Sequence, residues 1–180
     1  IEYADFQVVQ LNYGLTHLKS REPMPRSAGD PILRIYCDQD SLFAGDTITF
    51  HIDSADSSNP VLDFYAIAFD VIIDSALLVP NVSFSSYNQN FIGAPGSVIY
   101  GFDTTIWQTS LLQLGFTKLN QTNITGYGNL ANVSYILIDD IAGKTQQNEI
   151  NTTLNVYFTN VMAISADGTI IPLDVEGDTV

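Results

Sequence analysis

The chain has 180 residues, 46% of them apolar, with nine Tyr, ten Phe and a single cysteine, which suits one domain with a sizeable core, or one domain with an appendage. Twenty acidic residues against six basic ones give a formal charge of -14; a surface this negative repels phosphate backbones and anionic lipid, because both need Lys and Arg to displace their counterions. Nucleic acid and membrane surfaces are therefore poor partners, and the carboxylates suit either solubility in a salty exterior or binding of divalent cations.

The opening stretch IEYADFQVVQLNYGLTHL carries two patterns. In a calcium loop the eighth position is apolar and the twelfth is a closing carboxylate. Ile1 and Asp5 have that spacing, with Glu2 at the ninth position, so Glu2 and Asp5 are candidate metal ligands and the remaining ligands would precede Ile1. A helix is expected over residues 3–13: Phe6, Val9 and Tyr13 form one stripe, Val8, Leu11 and Leu15 flank it, and Gly14 stands at a left-handed stop. So wide an apolar face on a short helix needs a partner surface, on the following domain or on the rest of its own module, which makes Phe6, Val9 and Tyr13 candidate partner-binding residues.

Residues 16–30 read as a linker, since Pro23 and Pro25 among small polar residues favour an extended chain; Lys19, Arg21, Arg26 and His17 lie there. From residue 31 to 180 strand signals recur. PILRIYC comes first. DTITFHI alternates Ile48, Phe50 and Ile52 inward against Thr47, Thr49 and His51 outward, and DFYAIAFDVII alternates Tyr65, Ile67, Phe69 and Val71 against Phe64, Ala66, Ala68 and Asp70. NVSFSS, SVIYGF, LLQLGFTKL, NLANVSYILID, TTLNVYFTNVMAIS and TIIPLDV follow, and Gly45, Gly126 and Gly128 are placed to take positive φ in turns. About nine strands at this spacing predict an all-β, two-sheet sandwich of jelly-roll type behind a short N-terminal helix. Cys37, inside ILRIYC, reads as a small core hydrophobe, and one cysteine excludes an internal disulfide.

The stretches CDQDSLFAGDTITFHIDSADSSNPVLDFYAIAFDVIIDSALLVP and LGFTKLNQTNITGYGNLANVSYILIDDIAGKT give a more specific reading. A GDT strand, an F-Y-x-I-A-F strand, a D-x-A-L-x-x-P turn and a G-Y-G-x-L-A turn follow in the order seen in cohesin-like modules of large secreted surface proteins of the Bacteroidota, which the chain resembles over about residues 31–175. The resemblance implies a nine-stranded sandwich, and Ile1 to Leu15 is similar to the end of the dockerin-type calcium segment that often precedes such modules. EGDTV at the other end reads as the start of another strand, so both ends suggest a segment of something longer.

The inventory for catalysis is thin. His17 falls in the linker and His51 on an outer strand face, neither in a nucleophile motif. Asp139 and Asp140, after a strand, fit a solvated loop pair, a cation site or an acid–base pair, in that order. Asp38, Asp40, Asp46, Asp53 and Asp56 flank one strand, and turn chemistry accounts for them as readily as a cation does. Trp107 is the candidate glycan-stacking platform, against the plainer reading of a ring closing one end of the core.

Asn81, Asn120, Asn123, Asn132 and Asn151 stand in N-x-[ST] sequons that arise readily in so Asn- and Thr-rich a chain. The resemblance instead implies O-glycosylation of D-[ST]-apolar triplets, which points to Ser41, Thr47 and Ser75, with Thr179 in a fourth. The expected function is a non-catalytic extracellular or cell-surface module for adhesion, scaffolding or filament assembly, with a protein partner such as another copy or a neighbouring module. The alternatives are a carbohydrate-binding module and a calcium-dependent cohesin-type partner of a dockerin; Ca2+ is the one cofactor expected.

Overall fold

The computed structural model describes residues 29–39, 42–93, 97–106, 110–138 and 153–180. These residues form a β-sandwich, and the helix expected over residues 3–13 lies outside them. One layer has the strand order β12-β1-β2-β9-β5: β12 (Asp174–Glu176), β1 (Ile32–Cys37), β2 (Thr47–Ser54), β9 (Gly128–Leu137) and β5 (Leu78–Tyr87). The other has the order β11-β10-β4-β7-β6: β11 (Ile170–Ile171), β10 (Asn155–Ile164), β4 (Ala66–Ile73), β7 (Leu111–Lys118) and β6 (Val98–Ile106), with β13 (Asp178–Thr179) also paired to β10. A separate pair, β3 (Val61–Phe64) with β8 (Ile124–Gly126), and a single helical turn α1 (Gln89–Ile92) close one end.

The alternation written in the sequence supplies the core. Ile48, Phe50 and Ile52 of β2, Val133 and Tyr135 of β9, Phe69 and Val71 of β4, and Leu114 and Phe116 of β7 are all buried between the layers. Phe69 is the hub: its ring lies 5.3 Å from Phe158 edge-on and 6.1 Å from Phe116. Each such aromatic pair adds about 0.5–1.5 kcal/mol beyond the area it buries. Cys37 is half-buried against the core, as its setting among apolar residues suggested.

Three departures from the sequence expectation have physical causes. DFYAIAFDVII is not one strand: Phe64 ends β3 and is fully buried, whereas the inward phase of β4 is Ile67, Phe69, Val71 and Ile73. Asp63, at φ 54°, and half-buried Tyr65 make the break between them. TIIPLDV is split because Pro172 has no N–H to give a ladder, so β11 stays in one layer and β12 crosses to the other. Gly126 does not take positive φ; it makes room instead, since a Cβ there would meet the Phe91 ring at 2.8 Å. Gly45 and Gly128 do have positive φ, at 85° and 137°.

The C-terminal residues lace the layers together. From β12 on the five-stranded side the chain passes Gly177 and joins β10 on the other side, where Asn155 pairs with Thr179 and Val156 with Asp178. Leu154 and Val180 exchange backbone bonds of 2.8 and 3.0 Å, and the Asp178 carboxylate accepts the Cys37 N–H of β1 at 2.8 Å. EGDTV thus does form a strand, one that closes this sandwich.

Candidate functional site: two unlike outer faces

The outward side chains of the five-stranded layer line up in register. Glu176, Arg34, Asp53 and Asn129 share one row, and Tyr36, His51, Asn132 and Ser86 the next. Arg34 Nε donates to Glu176 Oε2 at 2.7 Å, and the carboxylate holds the guanidinium pKa further up. Tyr36 OH donates to Asp53 Oδ2 at 3.1 Å, while Asn129 Nδ2 reaches Asp53 Oδ1 at 2.8 Å and Asn132 Oδ1 at 3.1 Å. Burial first, then the Asp53 charge, pushes the Tyr36 hydroxyl above its ordinary pKa.

Asn132 Oδ1 also lies 2.8 Å from His51 Nδ1, and His51 Nε2 lies 3.3 Å from Asp38 Oδ2. His51 is on the outer face as expected, held by an amide and a carboxylate. Of the acidic loops flanking β2, Asp46 caps the Phe43 N–H at 2.9 Å, and Asp56 takes the Ser58 and Asn59 N–H groups at 2.7 and 3.1 Å. Both are turn chemistry, and the Ser58 hydroxyl first, then the Ser58 and Asn59 N–H groups, hold the Asp56 carboxyl below its usual range. The polar face is closed on itself; at its rim Arg34, Asp53, Asp56 and the 52% exposed ring of Tyr127 line a shallow depression of about 310 Å³.

The outer face of the other layer is mixed: Tyr157, Ile72 and Leu111 share one row and Met162 and Ala68 another, with the polar row Thr159, Asp70 and Gln113 between them. Ala68 and Ile72 of β4, Leu111 of β7, and Tyr157, Met162 and Ile164 of β10 are half-buried or exposed, on the side away from the core, with Tyr157 48% exposed. Met162 and Ile164 reach this face through a one-residue bulge: Thr159 pairs with Asp70 but Met162 with Ala68, which reverses the inside–outside phase of β10.

The bulge also builds a polar centre on this face. Asn160, at φ 53°, sends Nδ2 to Asp70 Oδ2 at 2.6 Å, and Gln113 Nε2 donates to Asp70 Oδ1 at 3.0 Å. Asp70 is only 4% exposed. A carboxylate has about four lone-pair directions, so two amides leave acceptor capacity for an arriving donor. Sequence reading placed Asp70 outward but attached no role to it. It missed Ile72, Met162 and Ile164 because the runs AIAFDVII and NVMAI are apolar on both phases.

Of the residues singled out in the sequence, Glu2, Asp5, Phe6, Val9, Tyr13, Ser41, Trp107, Asp139 and Asp140 lie outside the described residues. Among the described residues no three His, Cys, Asp or Glu side chains gather in a metal-holding group. Thr47 is exposed at the start of β2, and Ser75 begins a single 3-10 turn after Asp74. Thr179 is exposed and donates to Asn155 Oδ1 at 2.9 Å. No described helix is long and apolar enough to cross a membrane.

No protein-family profile and no curated protein matches the chain. Solved structures do. A type II cohesin domain from the cellulosome of Acetivibrio cellulolyticus matches with a TM-score of 0.64 at 12% identity, over 84% of this chain and 95% of that one. The type I Coh-OlpC–Doc435 cohesin–dockerin complex of Clostridium thermocellum matches with a TM-score of 0.65 at 16% identity, over 87% and 96%. Type II cohesin A11 of Bacteroides cellulosolvens matches with a TM-score of 0.59 at 14% identity, over 80% and 94%. Identities this low establish the fold alone: the described body is a cohesin-like β-sandwich.

Proposed function

We propose that this chain is a non-catalytic extracellular module that docks another protein, and so serves adhesion, scaffolding or assembly within a large cell-surface protein or filament. The outer face around Asp70 carries this reading. A sheet face left to water normally shows polar side chains, as the five-stranded layer does here, whereas exposed or half-buried Tyr157, Ile72, Leu111 and Met162 on either side of Asp70 are apolar side chains of the kind that mark a place where something binds. Rigid strands present the surface, and the recessed carboxylate gives it one fixed polar anchor.

The partner of first choice is a dockerin, in a calcium-dependent complex. Support comes from likeness: the matched Clostridium thermocellum structure is a cohesin–dockerin complex. The motif order along residues 31–175 supports a setting in a secreted surface protein of the Bacteroidota, where Ser41, Thr47 and Ser75 would be O-glycosylated; intact mass of protein from its own host reports that directly.

Calorimetry of the full chain against a panel of calcium-loaded dockerins tests the reading, with Ile72→Lys and Met162→Glu as variants. Each replaces a half-buried apolar contact, worth about 1.5–3 kcal/mol when buried, by a charge, so affinity should fall at least about tenfold. Chelation should abolish binding. Partner binding indifferent to both substitutions would remove this face from the account. A glycan reading has its own observation in exposed Tyr127 beside Arg34, Asp53 and Asp56; a glycan array on which Tyr127→Ala erases every signal would favour it.

A further inference from the structure

Independently of the docking reading, we infer that the depression at the rim of the polar face is a second binding site, which takes a neutral saccharide ring, so that the module holds a protein on one layer and a glycan at the edge of the other. Arg34 of β1 and Asp53 of β2 are paired in register there, and Asp56 and Tyr127 stand beside them. Every residue lining the depression is a described one. Its volume of about 310 Å³ falls at the small end of ligand sites, which run from about 300 to 1,000 Å³, and suits a sugar ring rather than a folded segment. The depression belongs to the five-stranded layer, whereas Asp70, Ile72 and Met162 lie on the outer face of the other, so the two occupants do not meet.

Charge and hydrogen-bonding capacity select the ligand. The Arg34 guanidinium sits among the carboxylates of Glu176, Asp53 and Asp56. An anion is repelled by the carboxylates and a cation by Arg34, which favours an uncharged ligand. Arg34 gives its Nε–H to Glu176, and among the described residues its terminal amino groups have no hydrogen bond, so they remain as donors beside acceptor-only carboxylates. A vicinal diol matches that mixture, because each of its hydroxyls both donates and accepts. The exposed ring of Tyr127 supplies the other half of the match, a flat apolar surface for the C–H face of a pyranose.

These groups are fixed before a ligand arrives. Asp53 is held at both oxygens, by Tyr36 OH at 3.1 Å and Asn129 Nδ2 at 2.8 Å. Asp56 reaches the site because the chain leaves β2 through Ala55 at φ 59°, whose N–H donates to the Ile32 carbonyl at 2.7 Å. Its Oδ1 is then set by the Ser58 and Asn59 N–H groups. Tyr127 is the single residue between β8 and β9. On one side of it Gly126 approaches the Phe91 ring so closely that a Cβ would fall at 2.8 Å, and on the other Gly128 has φ 137°, so the corner calls for glycine on both sides. Groups already ordered lose little freedom on binding, and that loss is what small open sites can least sustain.

The test titrates the 15N-labelled full chain with cellobiose, xylobiose, mannobiose and diacetylchitobiose, with galacturonic acid and N-acetyl-lysine amide as charged controls. Each is taken to about 50 mM, since a ring-sized ligand in an open site binds at roughly 1 mM. At least one of the neutral sugars should shift the Tyr127 and Gly128 amides saturably. Tyr127→Phe should keep that response, and Tyr127→Ala and Arg34→Gln should each weaken it at least about tenfold. Ile72→Lys, on the other layer, should leave it unchanged, and an unaltered amide spectrum for β4 and β7 checks that each variant is folded. No saturable shift with any of the four sugars, or one that survives Tyr127→Ala, overturns the inference. Saturation by N-acetyl-lysine amide alone overturns it in favour of a partner's basic side chain, and loss of the sugar response in Ile72→Lys overturns it by placing the sugar on the docking face. The titration contains no dockerin, so failure of the docking reading shows only in the dockerin calorimetry and failure of the sugar site only here.

Discussion

Asp70 offers the sharpest test of how the docking face is built. At 4% exposure its carboxylate has given up nearly all its water, a cost of several kcal/mol in the absence of a full counter-charge. The Asn160 and Gln113 amides, at 2.6 and 3.0 Å, are what it receives in return. Hydrogen bonds to a charged group contribute about 1.5–3 kcal/mol each, toward the lower figure here because Asn160 is exposed and Gln113 half-buried. The two sides nearly cancel, and a leucine in the same space would add apolar burial while freeing both amides to turn to water. Asp70→Leu should therefore change stability by less than about 1 kcal/mol, or raise it, a shift of no more than about 2–4 °C in Tm.

Removing a donor is different, because the charge remains. Asn160→Gly keeps a residue at home at φ 53° but strips the shorter hydrogen bond, and should cost about 1.5–3 kcal/mol. In the double variant Asp70→Leu, Asn160→Gly that cost should nearly vanish, a coupling of about 1.5 kcal/mol or more. Urea unfolding followed by circular dichroism reads all four proteins. The reasoning is refuted if Asp70→Leu is the most destabilised of the set, by more than about 3 kcal/mol, or if the two substitutions simply add; the carboxylate would then hold the fold together and be no feature of a binding face.

Gly177→Ala should destabilise by about 1–3 kcal/mol, because its new Cβ would fall on the Val156 carbonyl, which is backbone and cannot step aside; Gly168→Ala, at φ 85° with open space around it, should cost only about 1 kcal/mol, and thermal melts compare them. Asp167 is held down to about 2 by the Ser165 hydroxyl and then by the Thr169 N–H. A depressed folded-state value means its contribution is present above pH ~4 and lost as pH falls toward ~2, so Asp167→Asn should flatten the acid limb of the stability curve in that window, and an unchanged limb would show that the turn is not coupled to folding. The Cys37 thiol is pushed up chiefly by burial, with Asp178 and Asp38 adding to it, so alkylation at pH 8 should run at least tenfold slower in the folded protein than in urea; equal rates would mean that β1 opens locally.

Much of the architecture was legible because a sandwich writes its alternation into the chain. Ile48, Phe50 and Ile52 face in and Thr49 and His51 face out for the reason visible in DTITFHI, since a strand with one wet side needs period two. The polar face followed from the same pattern: once β1, β2 and β9 are in register, Tyr36, His51 and Asn132 have to be neighbours. The turn roles of Asp46 and Asp56 were likewise open to reading, since both lie in Asp, Ser and Gly clusters whose side chains bond their own backbone.

The docking face was not legible, and the reason is local. Along AIAFDVII the inward phase Ile67, Phe69 and Val71 was readable, but the outward phase is itself largely apolar, and its neighbour strand β10 changes phase at Asn160 through one extra residue. Period-two reasoning cannot anticipate a bulge, because its position depends on which partner strand lies alongside. The same holds for Phe64, whose burial comes from β8 sixty residues on, and for Gly177, which is needed only where the C-terminal strand crosses to β10. By itself the sequence determined the class of fold, the inward residues Ile48, Phe50 and Ile52 of β2 and Ile67, Phe69 and Val71 of β4, and a negative surface. Which apolar side chains face away from the core, and that a carboxylate sits pinned among them, were decided only when long-range pairing put β4, β7 and β10 side by side, since the burial of an apolar side chain is set by what lies against it.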